Sequence, residues 1–174
     1  LGDVYKRQVL YDKALTTLIM YPGASKIECV KIPEGITNIA GDAFACNQYL
    51  KKVVFPDSVV KIDYWAFNGC SALEEINIPK NCKLIGQFAF CGTSIKHIKI
   101  PATVVGAIFR ESFMGSPVET IEVEEGNPYY RVENGALYAE NNLIMYEVGS
   151  RRSEFVVPEG TEFIWDGAFY GASN

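Results

Sequence analysis

The chain has 174 residues, 48% of them hydrophobic, and a net charge of −5 with a pI near 5.0. That length and apolar content suffice for one continuous core, while the acidic balance argues against nucleic acid or an anionic membrane as the general partner. No apolar run approaches the roughly 18 residues that cross a bilayer, so direct membrane insertion is not expected, and no linker or low-complexity stretch divides the sequence.

In chain order, residues 1–8 match no internal pattern and read as a non-repeat segment, an assembly junction. Residues 9–26 read as a partial β-hairpin. From residue 27 a beat sets in. Pro33 to Phe44, Pro56 to Phe67, Pro79 to Phe90 and Pro158 to Phe169 are each 11 residues apart, and alanine precedes each of these phenylalanines. Pro101 to Phe113 is 12, with Ser112 in the alanine place, and the first four prolines step by 23, 23 and 22. Self-similarity at such a period marks a solenoid, in which each unit buries its apolar face only against its neighbours.

One unit shows how. Val53 and Phe55 alternate with outward residues, which predicts a short half-buried strand before Pro56. Proline ends that strand because it has no N–H for the ladder. Val59 and Ile62 turn back toward the core, and Ala66-Phe67 closes the coil. Alanine suits a place where two backbones come close, and each phenylalanine is expected to stack on the next. A buried column of Phe44, Phe67, Phe90, Phe113 and Phe169 follows.

These residues resemble the BspA-like subclass of leucine-rich repeats, whose pattern is approximately L-x-x-[IV]-x-[IV]-P-x-x-[VI]-x-x-I-x-x-x-A-F-x-x-C. Leu50, Val53, Phe55, Pro56, Val59, Ile62, Ala66, Phe67 and Cys70 follow it, and Leu73, Ile76, Ile78, Pro79, Cys82, Ile85, Ala89 and Phe90 repeat it. The resemblance covers almost the whole chain. It implies an α/β leucine-rich-repeat horseshoe or solenoid, β-rich and right-handed, at about 23 residues per coil, with strands on one face and turns or short 3₁₀ pieces on the other.

A longer repeat is superposed. Leu10-Tyr11, Ile19-Met20-Tyr21, Pro33-Glu34-Gly35 and Ala43-Phe44 return as Leu137-Tyr138, Ile144-Met145-Tyr146, Pro158-Glu159-Gly160 and Ala168-Phe169. From Tyr21 to Tyr146 the offset is 125. Turn residues at Asn127-Pro128, Asn134-Gly135 and Asn141-Asn142 separate apolar runs, so 126–152 reads as a β-hairpin insert. In its N-terminal copy Gln8 stands where Gly135 stands. Repeats are thus expected over 27–125, and a further, truncated one over 153–174. The last stops where another leucine strand is due, which reads as an excised piece of a longer array.

Five cysteines form no CxxC pair and no zinc-ligand spacing. Cys46, Cys70 and Cys91 fall near the turn after the phenylalanine, and Cys82 takes the inward position of Val59; buried, reduced thiols are expected. Cys29 maps to outward Lys52 and reads as accessible.

In-register stacking turns outward strand residues into columns. Five positions before the proline these are Glu28, Lys51, Glu74, Lys96 and Glu119; four before, Cys29, Lys52, Glu75, His97 and Thr120; two before, Lys31, Val54, Asn77, Lys99 and Glu122. Neighbouring strands about 4.8 Å apart bring the alternating signs together, so the face neutralises itself and does not suit polyanions. It is either a solvated ladder or a protein-binding strip comprising Lys31, Lys52, Val54, Glu75, Asn77, His97, Lys99 and Glu122. Glu75 and Thr120 are the expected column neighbours of His97, the chain's only histidine. No nucleophile or oxyanion turn accompanies it, adjacent carboxylates such as Glu74-Glu75 point to opposite sides of a strand, and phosphate or metalloprotease motifs are missing. No catalytic, cofactor or metal residue is assigned. Tyr129, Tyr130, Tyr138 and Tyr146 in the insert suit either an aromatic contact patch or cross-strand packing. The resemblance implies a non-catalytic module of an extracellular or cell-surface protein of a host-associated microbe, binding host matrix or other surface proteins. A passive spacer is the other reading.

Overall fold

A computed structural model of the chain describes residues 8–106, 110–147 and 153–172. Residues 1–7 of the expected N-terminal segment, 148–152 of the expected insert and 173–174 lie outside the described residues.

Strands β1 (Leu10–Tyr11) and β2 (Thr17–Met20) form an antiparallel pair. Each of the next three coils then contributes two short strands. Those before the proline are β3 (Cys29–Lys31), β5 (Lys52–Val54) and β7 (Glu75–Ile76); those after it are β4 (Asn38–Ile39), β6 (Lys61–Ile62) and β8 (Leu84–Ile85). Next come β9 (His97–Ile100), β10 (Thr120–Val123), β11 (Tyr130–Glu133), β12 (Ala136–Ala139), β13 (Asn142–Tyr146) and β14 (Phe163–Ile164). The chain is a β-solenoid of about six turns with ~23 residues per coil. The expected α component is not there: among the described residues the helical structure is one 3₁₀ turn, Arg110–Phe113. The face after the proline, expected as turns, instead carries a second parallel ladder, β2-β4-β6-β8. Short strands arise there because Ile39, Ile62 and Ile85 are fully buried and stack in register while their neighbours face out.

The third side of each coil is held by backbone bonds between turns. Tyr21 donates its N–H to the Ala43 carbonyl at 2.7 Å, Phe44 to Ala66 at 2.8 Å, Phe67 to Ala89 at 2.8 Å and Phe90 to Ser112 at 2.7 Å. Ala43, Ala66 and Ala89 are buried where these backbones meet. Ser112 fits the same place because its hydroxyl donates to the Gly86 carbonyl at 3.0 Å.

The rings stack as the beat requires. Phe44–Phe67, Phe67–Phe90 and Phe90–Phe113 lie 4.7, 5.3 and 5.4 Å apart, within 15° of parallel. Tyr21 extends the column at 4.8 Å. Phe169 differs from expectation: it is half-buried and leans on Tyr146 at 5.4 Å and 40°.

Two details of the turn after the phenylalanine were not expected. The three cysteines occupy three different positions, one, two and three residues past the ring. Only Cys70, in the third, is fully buried; its thiol donates to the Phe44 carbonyl at 3.0 Å, and burial pushes its pKa up to about 12. Cys91 is half-buried and Cys46 exposed. Cys46 has φ 60°, as Gly69, Gly92 and Gly115 have φ between 66° and 75°; a backbone in the left-handed region points its side chain away from the stack. Cys82 is buried and Cys29 exposed, as expected. The second detail is that the proline step of 22 comes from a turn one residue shorter between Phe90 and Ile95 than between Phe67 and Leu73. The pre-proline sheet divides there, into β3-β5-β7 and β9-β10.

Candidate interaction surfaces

The outward residues of the pre-proline strands align as the repeat length requires. Cys29, Lys52 and Glu75 are register partners, as are Lys31 and Val54, Thr120 and His97, and Glu122 and Lys99. Asn77 lies just past β7 and is exposed; Val54 is half-buried. Lys51 meets Glu28 at 3.0 Å, Lys96 meets Glu119 at 2.7 Å, and Lys52 pairs with Glu75. The hydrogen bond from Lys96 and its charge hold the Glu119 carboxyl below its usual range, and the same bond raises Lys96. Such exposed pairs add little stability. Their effect is to satisfy these six charges within the face and to favour one register.

His97 meets one of its two expected column neighbours: its Nδ1 lies 2.5 Å from the Thr120 hydroxyl, and β9 pairs with β10. On the Glu75 side the sheet divides, and no ladder joins β9 to β7.

The four insert tyrosines do not form one patch. Tyr129 is exposed. Tyr130 is buried and donates its hydroxyl to the Gly106 carbonyl at 2.7 Å. Tyr138 is fully buried, burial raising its pKa, with the Arg131 guanidinium 4.6 Å from its ring centre. Tyr146 is buried and edge-on to Phe155 at 4.9 Å. Cross-strand packing accounts for three of the four, since β12 lies between β11 and β13.

Sequence reasoning missed a third surface at the corner between β6 or β8 and the next ring of the column. Tyr64, Trp65 and Phe88 gather there, with Tyr64 and Trp65 exposed. These positions are wildcards in the repeat pattern, so the periodic argument passes over them. The available signal was an aromatic pair, Tyr64-Trp65, directly before an Ala-Phe whose own ring already fills the core. Among the described residues no cluster of His, Cys, Asp and Glu is placed to hold a metal ion, and no helix is long and apolar enough to cross a membrane.

Stacked short coils, a continuous ring column and exposed in-register strand residues define a repeat scaffold of the leucine-rich-repeat class. The chain belongs to the BspA-type leucine-rich-repeat family, whose model matches residues 20–144 in six copies. Solved structures agree. A leucine-rich-repeat protein from Eubacterium ventriosum ATCC 27560 superposes with a TM-score of 0.71 at 27% identity, over 79% of this chain and 37% of that one. One from Bacteroides ovatus ATCC 8483 gives 0.56 at 30% identity, over 67% and 33%. A leucine-rich cell-surface protein from Faecalibacterium prausnitzii A2-165 gives 0.54 at 21% identity, over 78% and 50%, a likeness of fold alone. The chain thus spans a third to a half of each neighbour. No curated protein matches it.

Proposed function

We propose that this chain is a non-catalytic protein-binding and adhesion module of a larger cell-surface or secreted protein. Its contact face is the strip of Lys31, Lys52, Val54, Glu75, Asn77, His97, Lys99 and Glu122. Its parts are a partial hairpin over 9–26, repeats over 27–125, the insert over 126–152 and a further repeat over 153–174. The observation that carries the reading is the exposed, in-register run of these side chains across successive coils. Repeat stacks present such extended surfaces to other proteins. Membership of the family supports it. The cell-surface description of the Faecalibacterium protein supports an extracellular location.

The test is surface plasmon resonance against a panel of purified host matrix proteins. Saturable binding that falls on combined alanine substitution of Lys52, Asn77 and Lys99 is expected. Binding indifferent to those substitutions removes the strip from the reading, and no binding to any matrix protein leaves the passive spacer. The pairing of Lys51 with Glu28, Lys52 with Glu75 and Lys96 with Glu119 favours that spacer, because charges satisfied within the face have less to offer a partner.

A further inference from the structure

Two residues before Phe44, Phe67, Phe90 and Phe169 the backbone is left-handed: Asp42, Trp65, Phe88 and Gly167 have φ of 57°, 55°, 57° and 67°. Glycine and aspartate tolerate that conformation. Bulky side chains rarely adopt it. The strain at Trp65 and Phe88 is not repaid by burial of the indole, which stays 42% exposed. Backbone strain held around an exposed group is a reason to look for a contact outside the fold.

The rings are arranged rather than scattered. Tyr64 and Trp65 meet at 5.5 Å and 83°, so they stand at right angles, and Trp65 lies 6.1 Å from Phe88 at 31°. Small residues hold Tyr64 in place from both sides. A Cβ on Gly41 would come 3.0 Å from its ring, and one on Gly86 would come 2.3 Å from its backbone nitrogen. The result is a cleft of about 350 Å³ lined by Asp63, Tyr64, Trp65, Gly86, Gln87 and Phe88. That is at the small end of ligand pockets.

The lining decides what fits. An exposed aromatic face attracts a cation or the C–H face of a neutral ring. Asp63 is the only charged residue lining the cleft, and both its oxygens are taken: Oδ2 by Lys61 at 2.8 Å, Oδ1 by the Tyr64 N–H at 2.9 Å. A cation therefore finds no free counter-charge. An extended proline-rich peptide needs a longer track, whereas the aromatic run spans two coils and is bounded by Asp42 and Glu111 in the same position of the flanking coils. A sugar ring fits both limits. It has one face of C–H bonds for the rings and a rim of hydroxyls for the exposed Gln87 amide.

We propose that this cleft binds a neutral saccharide, a pyranose stacking on Trp65 between Tyr64 and Phe88. The site lies on a different side of the coil from the strand strip, so it goes beyond the protein-binding reading and stands or falls separately.

The experiment is a fluorescence titration of the whole chain, in which Trp65 is one of two tryptophans. The probes are neutral oligomers of glucose, galactose, mannose and N-acetylglucosamine. A saturable change in emission with at least one of them is expected. Trp65→Asn and Phe88→Asn should each weaken that binding about tenfold or more, read by calorimetry. Asparagine tolerates the left-handed backbone, so both variants should unfold at the same or higher denaturant concentration. Gln87→Ala, at an exposed side chain, provides a second check and should weaken binding about threefold. No saturable change with any of the sugars overturns the proposal, as does full affinity in the Trp65→Asn, Phe88→Asn double variant. A saturable emission change with a choline salt or a proline-rich peptide, and none with the sugars, assigns the cleft to another ligand and also overturns it. Loss of matrix-protein binding on substitution of the strip leaves this result untouched.

Discussion

The two copies of the hairpin pair their strands alike and bury them differently. In the N-terminal copy Leu10 faces Met20 and Tyr11 faces Leu18; in the internal copy Leu137 faces Met145 and Tyr138 faces Leu143. Both ladders slip register at the same Leu-Tyr step. The parallel contacts also correspond, Leu18 with Ile39 and Leu143 with Ile164. Yet Leu10 is 51% exposed and Leu137 1%, and Met20 is 57% exposed and Met145 8%. Among the described residues β1 ends its sheet, whereas β12 has β11 beside it. At the other end the relation reverses: Ile39 is fully buried beside β6, while Ile164, on β14, the last described strand of its sheet, is exposed. Pairing follows from the two strands involved, and burial from what lies beyond them.

The largest effect is expected in the covered copy. Tyr138→Ala should cost about 3–5 kcal/mol, as should Phe67→Ala in the ring column, while Tyr11→Ala should stay within about 1 kcal/mol. Urea melts measure all three. Equal losses at Tyr138 and Tyr11 would break the comparison, and a loss under about 1 kcal/mol at Phe67 would remove the stacked column. Next, Leu137→Ala should lose roughly 2–4 kcal/mol and Leu10→Ala less than about 1. The reversed pair is a sharper test of smaller size. Ile39→Val should cost about 0.5–1.5 kcal/mol and Ile164→Val close to nothing.

The smallest effect concerns pH. Asp12 accepts hydrogen bonds from the Thr17 and Thr16 N–H groups at 2.8 and 2.7 Å, and these, the Thr17 bond foremost, hold its carboxyl below the ordinary aspartate range. A group whose folded pKa is lowered adds stability above its unfolded pKa and loses it as pH falls through the folded value. Acid should therefore loosen the N-terminal hairpin first, seen as faster amide exchange at Thr16 and Thr17 beyond the intrinsic pH trend. The internal copy has Ala139 in the corresponding place and should show no such step. Asp12→Asn should abolish the difference.

Much of this was legible in the residue order. The Pro–Ala-Phe spacing led directly to the ring column, the inward Val59, Ile62 and Cys82, and the partners Cys29–Lys52–Glu75. What escaped has particular causes. The β4-β6-β8 ladder rests on two-residue strands, too short to show alternation. A single missing residue after Phe90 was counted as a change of step, but its consequence, a sheet divided between β7 and β9, depends on backbone geometry. Cys46, Cys70 and Cys91 looked equivalent because each lies near the same turn, and a left-handed backbone at one position separates them. Tyr64, Trp65 and Phe88 stand where the repeat sets no requirement. Outward residues are not constrained by stacking, so periodicity is silent on them.

The amino-acid order alone dictates the period, the register and which side chain of each coil points inward, because every coil repeats the same local requirement of strand, proline, inward pair and ring. Tertiary structure decided how far each of those side chains is removed from water, since that depends on atoms of the neighbouring coil or of an added strand. Tyr11 and Tyr138 occupy corresponding positions and pair with corresponding leucines, and among the described residues it is Tyr138, with β11 beside its strand, that is core.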